Sequence, residues 1–301
     1  MNKIKDLVKK NYKVVIGIVI GITVCIGIGV SAVATKDVVY DNSKSGLTST
    51  NLQGAIDELN TKAKTHCPDG YTCTKKPVSF ASDSWTTIAK AVKSGTYPYS
   101  VGDTKTVDMG SLGTHTVRVA NTSSCTNGET SKTACGFVVE FADIITNHRM
   151  NSSRTNVRGW PASEMRSYVN STIYSALPSD LKNVIASTTV VSSHGPTSGE
   201  GNFTSTDKLY LLSSKEVWNG GTGYDTAEAE TRQLDYYKNK GVTTSNKSGA
   251  IKKNNGSNAE WWLRSASSND TSYFFDVYDG GGWGINFANY TNGVSPAFRI
   301  A

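Results

Sequence analysis

Residues 260–301 constrain the fold more than any other stretch of the chain. They begin with Glu260-Trp261-Trp262-Leu263-Arg264-Ser265 and close with Gly293-Val294-Ser295-Pro296-Ala297-Phe298-Arg299-Ile300. Two adjacent indoles carry too much apolar area to be left in water. The two blocks therefore read as buried strands, with Trp261, Trp262 and Phe298 in the core. Arg264 and Arg299 are expected to fix these strands by hydrogen bonds or ion pairs. The insert between them, 267–292, has the opposite character. Asn, Asp, Ser, Thr, Tyr and Gly supply nineteen of its twenty-six residues. Tyr and Trp give rigid contact area and Asn, Ser and Gly adaptable hydrogen bonding, the division of labour found in antibody paratopes. Along the insert Phe275 and Val277 alternate with Asp276 and Tyr278, so the latter two share a face. Asp279-Gly280-Gly281-Gly282 reads as a flexible turn, followed by Trp283, Ile285 and Phe287 in alternation. Asp276, Tyr278, Trp283, Asn286, Asn289 and Tyr290 are the candidate ligand-binding residues. An ordinary polar hairpin is the alternative.

The net charge of +6 needs to be placed before it is interpreted. Lys3, Lys5, Lys9, Lys10 and Lys13 against Asp6 put +4 on the N-terminal tip. Only about +2 is left for the rest, so no basic face for nucleic acid is implied. Residues 14–34 carry no charge and are rich in Val, Ile and Gly, long enough for one helix to cross a bilayer. With lysines ahead of it, this segment is expected to be a retained transmembrane anchor with a cytoplasmic N-terminus and an extracellular C-terminal domain. Ala32-Val33-Ala34 also fits a signal-peptide cleavage site, and that alternative stays open. The expected layout is thus a cytoplasmic tip at 1–13, a cell-membrane anchor at 14–34, a stalk at 35–77 and a binding domain at 78–301.

Cysteine spacing fits an exported chain. Cys25 falls in the apolar run, while Cys67 with Cys73 and Cys125 with Cys135 form two pairs close in sequence. Two local disulfides are the expectation and free thiols the alternative. No CxxC spacing occurs, and neither a metal nor a cofactor is expected.

Within the stalk, Thr50-Asn51-Leu52-Gln53 reads as a capping box opening a helix, with Leu52, Ile56, Leu59 and Ala63 as an apolar stripe. A helix this short is marginal alone, and homo-oligomerisation through 50–64 stays open. Further on, 84–92 reads as a helix, 114–120 and 137–141 as strands, and Pro161 opens a helix to about 176. Pro178 opens another, 208–212 reads as a strand, 226–240 as a polar helix, and 192–207 and 243–258 as polar loops. Helices in the middle and strands at both ends indicate an α+β domain with small antiparallel sheets.

Several phrases resemble known families. Residues 40–59 resemble a segment that recurs before exposed domains in phage tail-fibre and gut bacterial surface proteins. Gly95-Thr96-Tyr97-Pro98-Tyr99, Thr206-Asp207-Lys208-Leu209-Tyr210-Leu211-Leu212-Ser213, Trp262-Leu263-Arg264-Ser265 and Gly293-Val294-Ser295-Pro296-Ala297-Phe298 occur in this order. Together they resemble a bacterial and phage domain-of-unknown-function family covering about 80–301. The ending is also similar to the C-type lectin and formylglycine-generating-enzyme class of folds, which implies a ligand-binding insert framed by the two closing strands. The cysteines of that enzyme and the calcium motifs of the lectins are missing, so neither activity is implied. In some lectin-fold proteins of that kind the insert is diversified at adenines, and the composition of 267–292 leaves that open.

Chemistry is sparsely signalled. His66, His115, His148 and His194 are scattered, and no G-x-S-x-G, H-E-x-x-H or P-loop occurs. Acidic residues could form a pair in space, for example Asp276 and Asp279, as a glycosidase needs. The expectation is a non-enzymatic surface protein that binds a glycan or another surface protein through 267–292. An exported glycan hydrolase and a purely structural surface protein are the alternatives.

Overall fold

The computed structural model describes residues 37–43, 47–65 and 76–301, and the chain divides into two compact units, Met1–Thr74 and Lys75–Ala301. The described part of the first unit centres on helix α1 (Leu52–Thr65). Its cap is not the expected Thr50 box: the Asn51 carboxamide oxygen accepts from the Gly54 N–H at 2.7 Å. The Glu58 carboxylate also reaches back to the N–H groups of Thr48 and Ser49, at 2.8 and 3.0 Å.

The transmembrane helix expected at 14–34 and the Cys67–Cys73 bond lie outside the described residues. Among those described, no helix is long and apolar enough to cross a membrane. The longest, α1, has 14 residues, roughly 21 Å at the helical rise and short of the ~30 Å hydrocarbon layer. The preceding transmembrane helix is therefore not supported, and neither is single-pass placement in the cell membrane with a cytoplasmic N-terminus. Of the fold expectation, the α+β class with small sheets is what the structure shows.

The second unit opens with α2 (Trp85–Ser94), capped by Ser84, whose hydroxyl accepts from Thr87 N–H, and closed by Gly95. Its Trp85, Ile88 and Ala91 face is buried. One sheet contains β1 (Thr104–Asp108), β2 (Thr114–Asn121), β3 (Val138–Phe141) and the last strand, β13 (Ala297–Arg299), in the order β1-β2-β3-β13. The second contains β4 (Thr146–Arg149), β9 (Trp261–Ala266), β10 (Tyr273–Val277), β11 (Trp283–Phe287) and β12 (Thr291–Val294), in the order β11-β10-β9-β12-β4. Two ribbons, β5 (Thr188–Ser192) with β6 (Phe203–Asp207) and β7 (Lys252–Asn254) with β8 (Ser257–Ala259), complete the strands among the described residues.

The closing segment serves both sheets. β12 pairs with β4 and, in parallel, with β9, and β13 pairs with β3. At the crossing Ser295 donates to the carbonyls of Phe141 and Asp143, while the Pro296 carbonyl accepts from Phe141 N–H. Proline has no N–H to satisfy, so it suits the point where the chain leaves one ladder for another.

The middle of the chain departs from its periodicity. The helix expected from Pro161 is four pieces: α3 (Gly159–Ala162), α4 (Glu164–Tyr168), a wide π turn at Val169–Ile173 and α5 (Tyr174–Ala176). In the wide turn the Asn170 carboxamide oxygen accepts from the N–H groups of Lys208 and Leu209, and its nitrogen donates to Leu209 O. A short α6 (Ser179–Lys182) follows. Residues 208–212 are not a strand. Leu209 to Leu212 are fully buried and meet the sheets through a Tyr210–Ala297 bridge and the Arg264 N–H to Leu212 O bond, and β6 lies just upstream, in the expected loop.

The expected helix 226–240 reduces to a 3-10 turn at Glu228–Glu230 and α8 (Asp235–Asn239), preceded by an unexpected α7 (Ser214–Val217). The polar residues between the two bond inward: Thr231 to Glu216, and Gln233 to the carbonyls of Val217 and Val242. Arg264 is buried and forms an ion pair with Glu216 at 2.6 Å. Although burial opposes it, Arg264 holds the Glu216 carboxyl below its ordinary value. Trp261, Trp262 and Phe298 are buried, and the Arg299 guanidinium donates to Cys135 O at 2.8 Å. Cys125 and Cys135 are joined as a disulfide.

Candidate functional site

The insert supplies β10 and β11, the edge of the five-stranded sheet. β10 and β11 form a hairpin in the register Tyr273↔Phe287, Phe275↔Ile285, Asp276↔Gly284 and Val277↔Trp283. The glycine turn between them is pinned. Gly281 takes φ 81°, and a Cβ there would meet Lys247 O at 2.1 Å, so only glycine lets the turn lie against that backbone. Trp218 donates its indole N–H to Gly281 O. At the other end Asn156, buried and unforeseen from the sequence, donates to the carbonyls of Ser267, Asp270 and Tyr273 at 2.8–3.0 Å.

The register separates the six candidate residues. Asp276, Tyr278 and Asn286 lie on one face, because positions two apart along a strand share a side. Trp283 lies on the other, partly buried with Phe275 (ring centroids 6.0 Å apart). Tyr290 also leaves the Asp276 group: its ring meets Phe287, which stacks on Tyr273 and lies beneath the Arg154 guanidinium. Asn289 is exposed in the turn after β11.

Around Asp276 the sheet adds Glu260 and the His148 strand from outside the insert, and Asn292 from the insert's last position. Trp262 lies opposite Asp276 on β9, which puts Glu260 on the same face. Asn292 lies on β12 across from His148 on β4, and the His148 ring stacks on Tyr168 at 4.0 Å. Asn292 donates to one Asp276 carboxylate oxygen, Oδ2, at 2.9 Å, and Asn286 donates to the same atom at 3.4 Å. The other oxygen, Oδ1, is buried and has no partner. Burial pushes the Asp276 carboxyl up to about 7, and the nearby Glu260 charge adds to the shift against the two amide donors. The half-exposed Tyr278 hydroxyl is raised by burial, then by Asp276 and Glu260.

Gly284 makes this arrangement possible. A Cβ there would lie 2.3 Å from the Tyr278 ring and 2.6 Å from Asp276 Oδ1. The ring and the unpaired oxygen thus converge over a position that has no side chain. Chemically the face presents an accessible aromatic ring and two half-buried carboxamides beside a buried carboxyl shifted to about 7. Among the described residues no group of His, Cys, Asp and Glu is arranged to hold a metal ion.

Comparison with known proteins gives a family and no activity. No curated protein and no solved structure matches the chain, so the expected likeness to the C-type lectin and formylglycine-generating-enzyme folds finds no support there. Residues 138–301, which include both framing strands and the insert, match a family described as Domain of unknown function (DUF6273). With more than half of its length matched, the chain belongs to the DUF6273 family.

Proposed function

We propose that the Lys75–Ala301 unit is a ligand-binding module that takes a hydroxyl-bearing ligand, a glycan, on the Asp276 face of the five-stranded sheet. The observation that carries this reading is the buried, unpartnered Asp276 Oδ1 beside an exposed tyrosine ring. An unsatisfied buried oxygen costs roughly 1–3 kcal/mol, and a ligand hydroxyl donating to it recovers that cost. Asn286 and Asn292 orient the carboxyl through Oδ2, and Tyr278 supplies a face for a sugar ring. Asp276 gives a ligand site on the insert its physical basis. A donor to Oδ1 favours the charged carboxyl and lowers its pKa. Affinity therefore rises as pH rises through about 7.

The test is binding of the full chain to a glycan array at pH 5.5 and 8.5, with Asp276→Asn and Gly284→Ala variants. Gly284→Ala displaces the Tyr278 ring and crowds Oδ1, so a folded variant that loses its hits supports the site. Hits indifferent to both changes refute it.

The proximity of Glu260 to a carboxyl shifted to about 7 favours one second reading, a glycan hydrolase with Asp276 as general acid. That reading requires turnover, with a rate that falls as pH rises through 7, the opposite sign to the binding profile.

A further inference from the structure

A cavity of about 300 Å3 lies on a different part of the unit and shares no residue with the Asp276 face. Lys215, Arg232 and Lys238 line it together with Glu129, Asn127 and Gln233. Its charges do not cancel. The Arg232 guanidinium is taken by Asp235 at 2.7 Å and Ser124 O at 3.2 Å. Lys215 donates once, to Asn219 O at 3.1 Å, and keeps further N–H groups. Lys238, exposed at the end of α8, has no hydrogen bond or ion pair for its ammonium among the described residues. Glu129 is the one acid among the lining residues. Although burial opposes it, the hydrogen bonds it takes from Asn127, the backbone N–H among them at 2.8 Å, and the nearby Arg232 hold its carboxyl below the ordinary value.

The walls are built rather than loose. The Cys125–Cys135 bond closes the loop that carries Asn127 and Glu129. That loop is tied down by Ser131 N–H to Glu230 O at 2.9 Å and Lys132 N–H to Thr189 O at 2.8 Å. Gln233 is held by two carbonyls, each at 2.8 Å.

We propose that this cavity binds a small hydroxylated oxyanion of monosaccharide size, a sugar acid or a sugar phosphate. The oxyanion lies between Lys215 and Lys238, where charge-assisted hydrogen bonds are available. The hydroxyls donate to the Glu129 carboxylate, the one acidic group of the lining. A compact ligand bearing both an anion and hydroxyls uses all three charged groups, whereas a neutral sugar leaves both ammonium groups unpaired.

The experiment is calorimetric titration of the full chain with glucuronate, glucose 6-phosphate and glucose. The same titrations are run on Lys238→Ala, the Lys215→Ala/Lys238→Ala double variant and Asp276→Asn, with circular dichroism to confirm that each is folded. The expected result is that at least one acid binds tenfold or more tightly than glucose. The double variant should lose at least tenfold in that affinity, and Asp276→Asn should leave it unchanged. Which acid binds decides between a carboxylate and a phosphate ligand. The proposal is overturned if neither acid exceeds glucose, or if the folded double variant binds as well as the parent. Because Asp276 plays no part in this cavity, the array result for the insert and this titration fail independently.

Discussion

At the scale of single residues, the fold depends on where each buried charge finds its partner. Arg264 shows this most clearly. It donates to both Glu216 oxygens and to Leu211 O, within 2.9 Å, and Glu216 also accepts from Thr231 and Ser213 N–H. Removing one charge leaves the other buried and uncompensated, which costs about 3–5 kcal/mol. Glu216→Gln should therefore lower the free energy of urea unfolding by about that amount. A loss under 1 kcal/mol would mean that the pair is not desolvated in solution. Asp276 is the reverse case, a buried carboxyl with amide donors on one oxygen and nothing on the other. A ligand donor would remove that deficit.

At the scale of elements, the Cys125–Cys135 loop links stability to the second proposed site. The bridge spans ten residues of sequence, for which chain-entropy reasoning gives about 2.5–3 kcal/mol. Cys125→Ser/Cys135→Ser should lose roughly that much stability in urea titration, and an unchanged midpoint would show that the loop's backbone bonds suffice without it. The elements also show what could be read from sequence alone. α2, β3 and β9 are legible because their apolar residues are local in sequence and buried, whereas β2 shows its strand by alternation although Arg118 and Asn121 are buried too. The Trp pair announces β9 for the same reason. The stretch 208–212 is apolar because it runs through the core, not because it is in a ladder, and periodicity cannot tell those apart. The stretch 226–240 looks like a polar surface helix, yet Thr231, Gln233 and Asp235 turn inward to satisfy buried groups. Within the candidate site, alternation places Asp276, Tyr278 and Asn286 together. Asn292, Glu260 and His148 join only through sheet order, which local sequence does not encode. Trp283 is separated from them by the same alternation, once the register of β11 is known.

At the scale of the whole molecule, one chain end unites both sheets and carries the proposed site between its two strands. Stability should therefore report on Asp276. Its carboxyl lies near 7 in the folded chain, against an ordinary 3.8, so the folded state holds the proton more tightly than the unfolded state. That contribution is complete below about pH 4 and is lost as pH rises through 7, amounting to at most about 4 kcal/mol. Asp276→Asn should flatten this part of the stability profile, and equal slopes for parent and variant between pH 5 and 7.5 would exclude the shift. The most direct test of the central claim is a carbon-detected NMR titration of the Asp276 carboxyl in the full chain. A midpoint near 7, moving downward when a glycan that binds is added, is the predicted result. A midpoint near 4 without ligand would contradict the account, because it would mean that the carboxyl is already solvated or paired and has no need of a ligand.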